Sequence, residues 1–415
     1  MKILVLKETA AGERRVALTP ANASQLIKIG HTIQVESGAG AGSGYADDEY
    51  ENAGAGIASD RAGALGDAEL ILQVDGPGTG SEVGGQLSPG QFSLAQQDPL
   101  GNPEGARQAA EAGYSMLALE TIPRISRAQS MDVLSSMATL AGYKAVLLAA
   151  DHLPKMFPML MTAAGTVAAA RVFVIGAGVA GLQAIATARR LGAIVEGYDV
   201  RDAALEQIES LGAKAVRLDM GGDDAEGAGG YAKEQGEDFN RRQQEELAKV
   251  VSRSDVVITT AAIPGRPSPL LITQAAVEGM QAGSVIVDLA AERGGNCEVT
   301  QANQTVEHHG VTVLGPTDLP SRVPRHASQM FGNNVTTLLK HLTGEDGAMS
   351  LDLDDEITND ILVAHEGVVR HPRIRSELGL EPLDAQPEEA EPETADDGGA
   401  EEGAAEESNG DDGSN

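Results

Sequence analysis

The chain predicts two Rossmann-like, doubly wound α/β domains joined by long helices and followed by an acidic, disordered tail. Short apolar runs alternate with helical patterns along most of its length. One of those runs leads into a G-x-G-x-x-G turn and then a helix. The last 35 residues contain 14 acidic side chains and no Lys or Arg. Strands buried on both faces of a parallel sheet read as continuous apolar runs, and strand–helix alternation is the mark of βαβ units.

The elements follow in order. Residues 2–6 read as a strand, 20–29 as a helix and 32–36 as a strand, with further buried strands at 69–74 and 115–118. Gly- and Pro-rich stretches at 38–44 and 75–90 punctuate them. This first unit runs for about 125 residues. A long helix is expected from about 130 to 150, with Ser130 as its N-cap. Leu134, Met137, Ala138, Ala141, Ala145 and Leu148 would form one apolar stripe. The second unit has strands at 171–175, 194–198, 255–260, 285–289 and 311–314. A second long helix at about 328–342, apolar along Phe331, Val335, Leu338, Leu339 and Leu342, returns to the first unit. The expected domains are 1–130 plus 325–380, then 145–320, then a disordered tail at 381–415 whose composition cannot offset its ordering entropy.

Composition narrows the function. The 415 residues are 41% hydrophobic but only 3% aromatic, with no Trp, so the cores are built from small aliphatic side chains. Net charge is 30 − 62 = −32, of which 30 − 48 = −18 falls on the first 380 residues. That balance argues against nucleic acid and against direct attraction to anionic lipid. With 9 Lys against 21 Arg, it reads as solvation for concentrated salt, where the Debye length is about 3 Å. The alternative is an acidic mesophilic enzyme. Cys297 is the single cysteine, which excludes an intramolecular disulfide, and it has no activating partner nearby in sequence. MKILVLKE reads as a first strand rather than a signal peptide, and no window approaches 18 apolar residues, so no direct membrane insertion is expected. No metal site is expected either: His308 and His309, adjacent on a regular element, should point apart.

The run Gly176-Ala177-Gly178-Val179-Ala180-Gly181 lies between the strand 171–175 and a helix, and a second strand ends at Asp199, 23 residues after Gly176. In that context the glycines permit a tight turn and close approach of backbone to a pyrophosphate at the helix N-terminus. Asp199 can accept from ribose hydroxyls and would repel a 2′-phosphate, which favours NAD(H) over NADP(H); Arg201 weakens that preference.

Two polar stretches stand out. Residues 121–136 crowd Arg124, Arg127, Gln129, Asp132 and Ser135 at the entrance of the first long helix. They either orient a carboxamide such as that of nicotinamide or serve as helix capping plus a surface ion pair. Residues 219–238 form a long Gly-rich loop whose single aromatic, Tyr231, either folds over a bound nucleotide or belongs to a solvated insertion.

At these residues the sequence resembles the alanine dehydrogenase and transhydrogenase α-subunit family, in particular the NAD-binding domain I of transhydrogenase. The resemblance covers about residues 1–375. It rests on KETAAGERRVALTP, PRISRAQSMDVLSS, MTAAGTVAAARVFVIGAGVAGLQAIATARRLGA, GGYAKEQGEDF, ITTAAIPGRP and VIVDLAAERGGNC. It implies a homodimer that binds NAD(H) and docks on a β subunit carrying an NADP(H)-binding domain and membrane-spanning partners. That places it in the cytoplasm, peripheral to the inner face of the membrane. It also implies direct, Si-Re specific hydride transfer coupled to proton translocation. By motif, Arg124, Asp132 and Ser135 hold the nicotinamide end and Gln129 faces the partner's nucleotide. Val179, Asp199, Val200 and Arg201 line the adenosine side, with Gly230, Tyr231, Gln243 and Ala262 over the rest. Ala262 departs from the family pattern, which often has a larger apolar residue there. The alanine dehydrogenase branch would need a Lys just after the strand at 69–74 and a His within 92–96; here the chain reads LQVDGP and FSLAQ. A non-catalytic NAD(H) sensor is the reading from another class, disfavoured by the polar group at 124–135.

Overall fold

The computed structural model describes residues 1–218, 236–263, 265–344 and 347–383. Six parallel strands come first: β1 (Lys2–Val5), β2 (Thr32–Glu36), β3 (Gly56–Ala58), β4 (Leu70–Asp75), β5 (Phe92–Gln96) and β6 (Ser115–Ala118). A solvent-exposed antiparallel hairpin comes next, β7 (Leu160–Thr162) with β8 (Gly165–Val167). The second sheet contains β9 (Arg171–Ile175), β10 (Ile194–Tyr198), β11 (Lys214–Ala215), β12 (Val256–Thr259), β13 (Val285–Asp288), β14 (Thr305–His308) and β15 (Val311–Leu314). The chain then returns to the first sheet with β16 (Leu362–His365) and β17 (Val368–Val369).

The first sheet runs β17-β16-β6-β5-β4-β1-β2-β3 and the second β11-β10-β9-β12-β13-β15-β14. Within each, the first strand of the unit lies between the second and the fourth, so strand order reverses there. The central strands carry buried apolar side chains on both faces, as in Leu70, Ile71 and Leu72 or Val256, Val257 and Ile258. Each sheet accordingly has two cores, one on each side. The two doubly wound units are therefore as the sequence indicates. The C-terminal return adds strands as well as helices: β16 pairs antiparallel with β6, and β17 with β16.

Two long helices tie the units together. Val133–His152 places Val133 and Met137 in the first unit's core and Ala145, Val146 and Ala149 in the second's. Serving two cores, it has no single stripe. Of the six positions expected to form one, only Met137 and Ala145 are buried, and Val133, Gly142, Val146 and Ala149 join them. Its cap is Asp132, not Ser130, because residues 126–131 form a preceding 3-10 turn. The helix is also long and apolar enough to cross a membrane by length and composition, contrary to the expectation that no such window exists. Its inward face is committed to the two cores. Pro324–His341, the second long helix, buries Phe331, Val335, Leu338 and Leu339 as its pattern predicts, with Leu342 just beyond it also buried. The expected tail from 384 onward lies outside the described residues, as do Gly230 and Tyr231.

Candidate functional site

A cleft of about 1010 Å³ opens between the two units, lined by residues that follow the carboxyl ends of strands in both sheets. Its second-unit wall is built on β9, β10 and β12. Leaving β9, Gly176 has φ 94°, and a Cβ there would sit 2.5 Å from the Thr260 hydroxyl. Helix Val179–Arg190 begins so close beneath the turn that a Cβ on Gly181 would lie 1.8 Å from the Gly176 carbonyl oxygen. Gly178, at the N-cap, meets nothing within 4 Å in the Cβ direction; that open space is where a side chain would fill the cradle. Backbone N–H groups at this helix start, a close turn and an open cradle fit a pyrophosphate.

Asp199, at the end of β10, is buried and accepts a 2.7 Å hydrogen bond from the Ala177 backbone N–H. Arg201 closes on the same carboxylate through Nε to Oδ1 and a second guanidinium nitrogen to Oδ2, both at 2.8 Å. Burial would raise the Asp199 pKa, but the Arg201 hydrogen bonds and charge hold it below the usual carboxylate range. The Asp199 carboxylate and the Arg201 guanidinium thus form one bidentate pair. Val179, Val200 and Ala262 line the same wall. Gln243 does too, donating to the Tyr198 hydroxyl at 2.9 Å, and burial pushes that phenol up to about 12. The loop carrying Ala261 and Ala262 is held by Asn296, which accepts from the Ala261 N–H at 3.0 Å and donates to the Ala261 carbonyl at 2.8 Å. Asn296 is fixed in turn by Asp288, fully buried at the end of β13, which accepts from Thr259, Ala290, Asn296, Cys297 and Thr300. Neither Asp288 nor Asn296 stands out by spacing, although both lie in the VIVDLAAERGGNC run.

The first-unit wall contains Arg124 and Ser135, which line the cleft; Gln129 is exposed outside its lining, on the 3-10 turn 126–131. Asp132 caps the long helix, accepting from the Ser135 N–H at 2.9 Å and the Ser135 hydroxyl at 2.6 Å, and it does not line the cleft. Arg127 pairs with Asp355. Capping and a surface ion pair are therefore both present, while Arg124 and Ser135 still face the opening.

A second polar group on this wall was not found by sequence. Arg15, 8% exposed, donates to both Glu13 oxygens at 2.8 and 2.6 Å, donates to the Gln96 side-chain amide oxygen at 3.4 Å and lies 3.9 Å from Asp75. Ser321, from the returning chain, donates to Glu13 at 2.7 Å. Burial works against the Glu13 charge, but Arg15 holds its pKa below the ordinary value. Burial pushes Asp75 up to about 6 and Glu120 to about 7; Glu8, behind them, rises to about 8, opposed by the Val74 N–H it accepts from. Asp75 and Gln96 end β4 and β5, and both line the cleft. At its rim, Asp98 of the first unit pairs with Arg293 of the second.

The expectation about the histidines is overturned. His308 and His309 do not point apart: their ring centroids are 4.8 Å apart, and with Glu278 they form a possible three-ligand metal group away from the cleft.

Residues 4–141 match the alanine dehydrogenase/PNT N-terminal domain family and 145–372 the corresponding C-terminal domain family. An NAD(P) transhydrogenase alpha-subunit polypeptide of Rhodospirillum rubrum is 44% identical over 382 residues, 91% of this chain and 100% of that protein. Alanine dehydrogenase of Bacillus subtilis is 30% identical over 393 residues, 93% and 97% of the two chains. The crystal structure of transhydrogenase from Sinorhizobium meliloti superimposes with a TM-score of 0.80 at 42% identity, covering 89% of this chain and 100% of that one. Matched in both halves and across its cleft-forming motifs, the chain belongs to the alanine dehydrogenase/PNT family.

Proposed function

We propose that this chain is the NAD(H)-binding subunit of a proton-translocating transhydrogenase, exchanging hydride between NAD(H) in its cleft and NADP(H) held by a partner β subunit. The observation that carries the reading is the pairing of two walls. A glycine cradle with Asp199 stands on one side. Arg124 and Ser135 stand on the other, with Asp75 and Gln96 beside them, in the segments where the resemblance to alanine dehydrogenase would call for a Lys and a His. The names of the relatives at 41–44% identity support the same choice.

Bound NAD(H) supplies the hydride donor or acceptor at its nicotinamide ring. The cradle of Gly176, Gly178 and Gly181 takes the pyrophosphate, and Asp199 the adenosine ribose, with Val179, Val200, Gln243 and Ala262 around it. Arg124 and Ser135 orient the carboxamide, and Asp132 acts through Ser135, whose N–H and hydroxyl it accepts. Gln129, exposed beyond the cleft, is offered to the partner's nucleotide. No general acid or base is required for hydride transfer itself; the protein's task is to hold two rings close and exclude water. Gly230 and Tyr231 belong to this reading by sequence alone.

Association as a homodimer is supported by the β7–β8 hairpin and the segment before it, where Met156, Met159, Leu160, Met161 and Val167 are between 36% and 77% exposed. Flexible apolar side chains gathered on an exposed hairpin favour burial against another surface. The net charge of −32 supports work in a salt-rich cytoplasm, and membrane attachment through partner subunits follows from the transhydrogenase reading.

The test is hydride transfer from NADH to an NAD analogue, dependent on NADP(H), after mixing with the NADP(H)-binding domain of the cognate partner in molar KCl. A parallel assay with pyruvate and ammonium omits the partner. Activity confined to the first establishes the proposal. Activity confined to the second replaces it with alanine dehydrogenase, and NADH binding with silence in both replaces it with a sensor.

A further inference from the structure

On the far edge of the second sheet, β14 and β15 form a two-residue hairpin in which His308 pairs with Val311, leaving His309 and Gly310 as the turn. Both turn residues have positive φ, 50° and 75°. That is the type I′ geometry whose twist matches the flanking strands. It also swings His309 out of strand alternation. Neighbouring side chains on a strand face opposite ways, but the left-handed conformation of His309 brings its ring to the same side as His308, with an interplanar angle of 45°. Both rings are aimed at one carboxylate from another element. Glu278, at the end of helix Gln274–Glu278, has its Oε1 3.1 Å from His308 Nε2 and 3.7 Å from His309 Nε2.

We infer that Glu278, His308 and His309 form a surface site for one borderline divalent cation, best met by Zn2+, with solvent completing the shell. Two imidazole nitrogens and a carboxylate oxygen are a donor set that suits Zn2+ rather than Mg2+ or Ca2+, which prefer all-oxygen shells. Zinc–ligand bonds near 2.0–2.1 Å in a tetrahedron put ligand atoms about 3.4 Å apart. The two observed Glu–His separations bracket that edge, and all three ligand atoms lie within 4.8 Å of one another. The remaining closure needs a small rotation of His309, whose side chain is 60% exposed and unconfined. The Gln274 side chain donates to Glu278 Oε1 at 2.9 Å and holds the carboxylate in place, the kind of outer support that metal ligands use.

The ion would clamp the edge strand to the helix beside it. None of the three residues lines the nucleotide cleft, so the site is independent of the proposed function.

The experiment is a competition titration of the full chain with Zn2+ against a chromogenic chelator in molar KCl, where loose carboxylate binding is screened. Co2+ absorption serves as the coordination readout. One equivalent is expected at micromolar affinity, weakened about tenfold or more in H308Q and in H309Q, with NADH binding unchanged. Selective 1H–13C imidazole shifts of His308 and His309 on adding Zn2+ to the wild-type chain give the same answer without a substitution. Failure to bind Zn2+ at micromolar concentration, or equal binding by the H308Q/H309Q double variant, overturns the inference.

Discussion

The two sheets share one strand order about their first strand, yet the segments leaving that strand differ completely. In the second sheet β9 turns at once through Gly176 and Gly178 into a helix whose N-terminus faces the cleft. In the first, β1 runs into an irregular segment through Lys7, Glu8, Glu13 and Arg15, and no helix starts until Pro20. The second switch point therefore exposes backbone N–H groups and free space, whereas at the first the buried Arg15 and Glu13 pair with one another. The same topology yields an open glycine turn in one unit and a buried ion-pair wall in the other. Strand order locates a crevice, and the residues after the first strand decide what it holds.

The largest effect on this contrast is expected from Arg15→Gln. It leaves the Glu13 charge buried beside Ser321, and removal of one partner of a buried pair costs about 3–5 kcal/mol. Thermal unfolding should therefore fall by roughly 10 °C, with NADH affinity within about threefold of wild type because the cradle is untouched. Loss of NADH binding in the still-folded variant would make Arg15 part of the nucleotide site rather than of its supporting wall.

Gly181→Val attacks the other switch point. A side chain 1.8 Å from the Gly176 carbonyl oxygen must displace the turn, so the NADH dissociation constant, read by fluorescence, should rise about 100-fold, or ~2.7 kcal/mol. Retained affinity would show that the pyrophosphate does not rest there.

A smaller effect is expected from Asp199→Asn. Loss of the charged acceptor should weaken NADH about tenfold, in line with the ~1.5–3 kcal/mol of a charge-assisted hydrogen bond. It also frees Arg201, so the preference for NADH over NADPH should narrow. An unchanged preference would take the ribose-reading role away from Asp199.

The mildest change concerns Glu8, whose pKa burial raises from 4.5 to about 8. Between those values the folded chain holds a proton that the unfolded chain has lost, so stability falls as pH rises through that window. Glu8→Gln should flatten the dependence of Tm on pH between about 5 and 8. A slope equal to that of the wild type would assign it to Asp75 or Glu120, which shift the same way.

Much of the fold was legible because its signals are local. Strands Thr32–Glu36, Ser115–Ala118, Arg171–Ile175, Ile194–Tyr198 and Val311–Leu314 lie where apolar runs between turn residues put them. Gly176, Gly178, Val179, Asp199, Val200, Arg201, Gln243 and Ala262, and across from them Arg124 and Ser135, all line one cleft. Gly181 lies beneath it as the close-packing glycine. The polar cluster behind Arg15 was illegible because Glu13, Asp75, Gln96 and Ser321 come from four separated segments. Buried charges announce themselves only once packing shows what neutralises them.

Backbone preference and hydrophobic period act over a few residues, so the two α/β units, the glycine turn and the long helices are written directly in the amino-acid order. Long-range packing settled the rest. It made β16 and β17 complete the first sheet and gave the bridging helix two cores to serve. It also turned His308 and His309 toward Glu278, through a left-handed turn residue whose direction no strand rule predicts. These outcomes depend on contacts between segments far apart in the chain, and the free energy that selects them exists only after both units have packed.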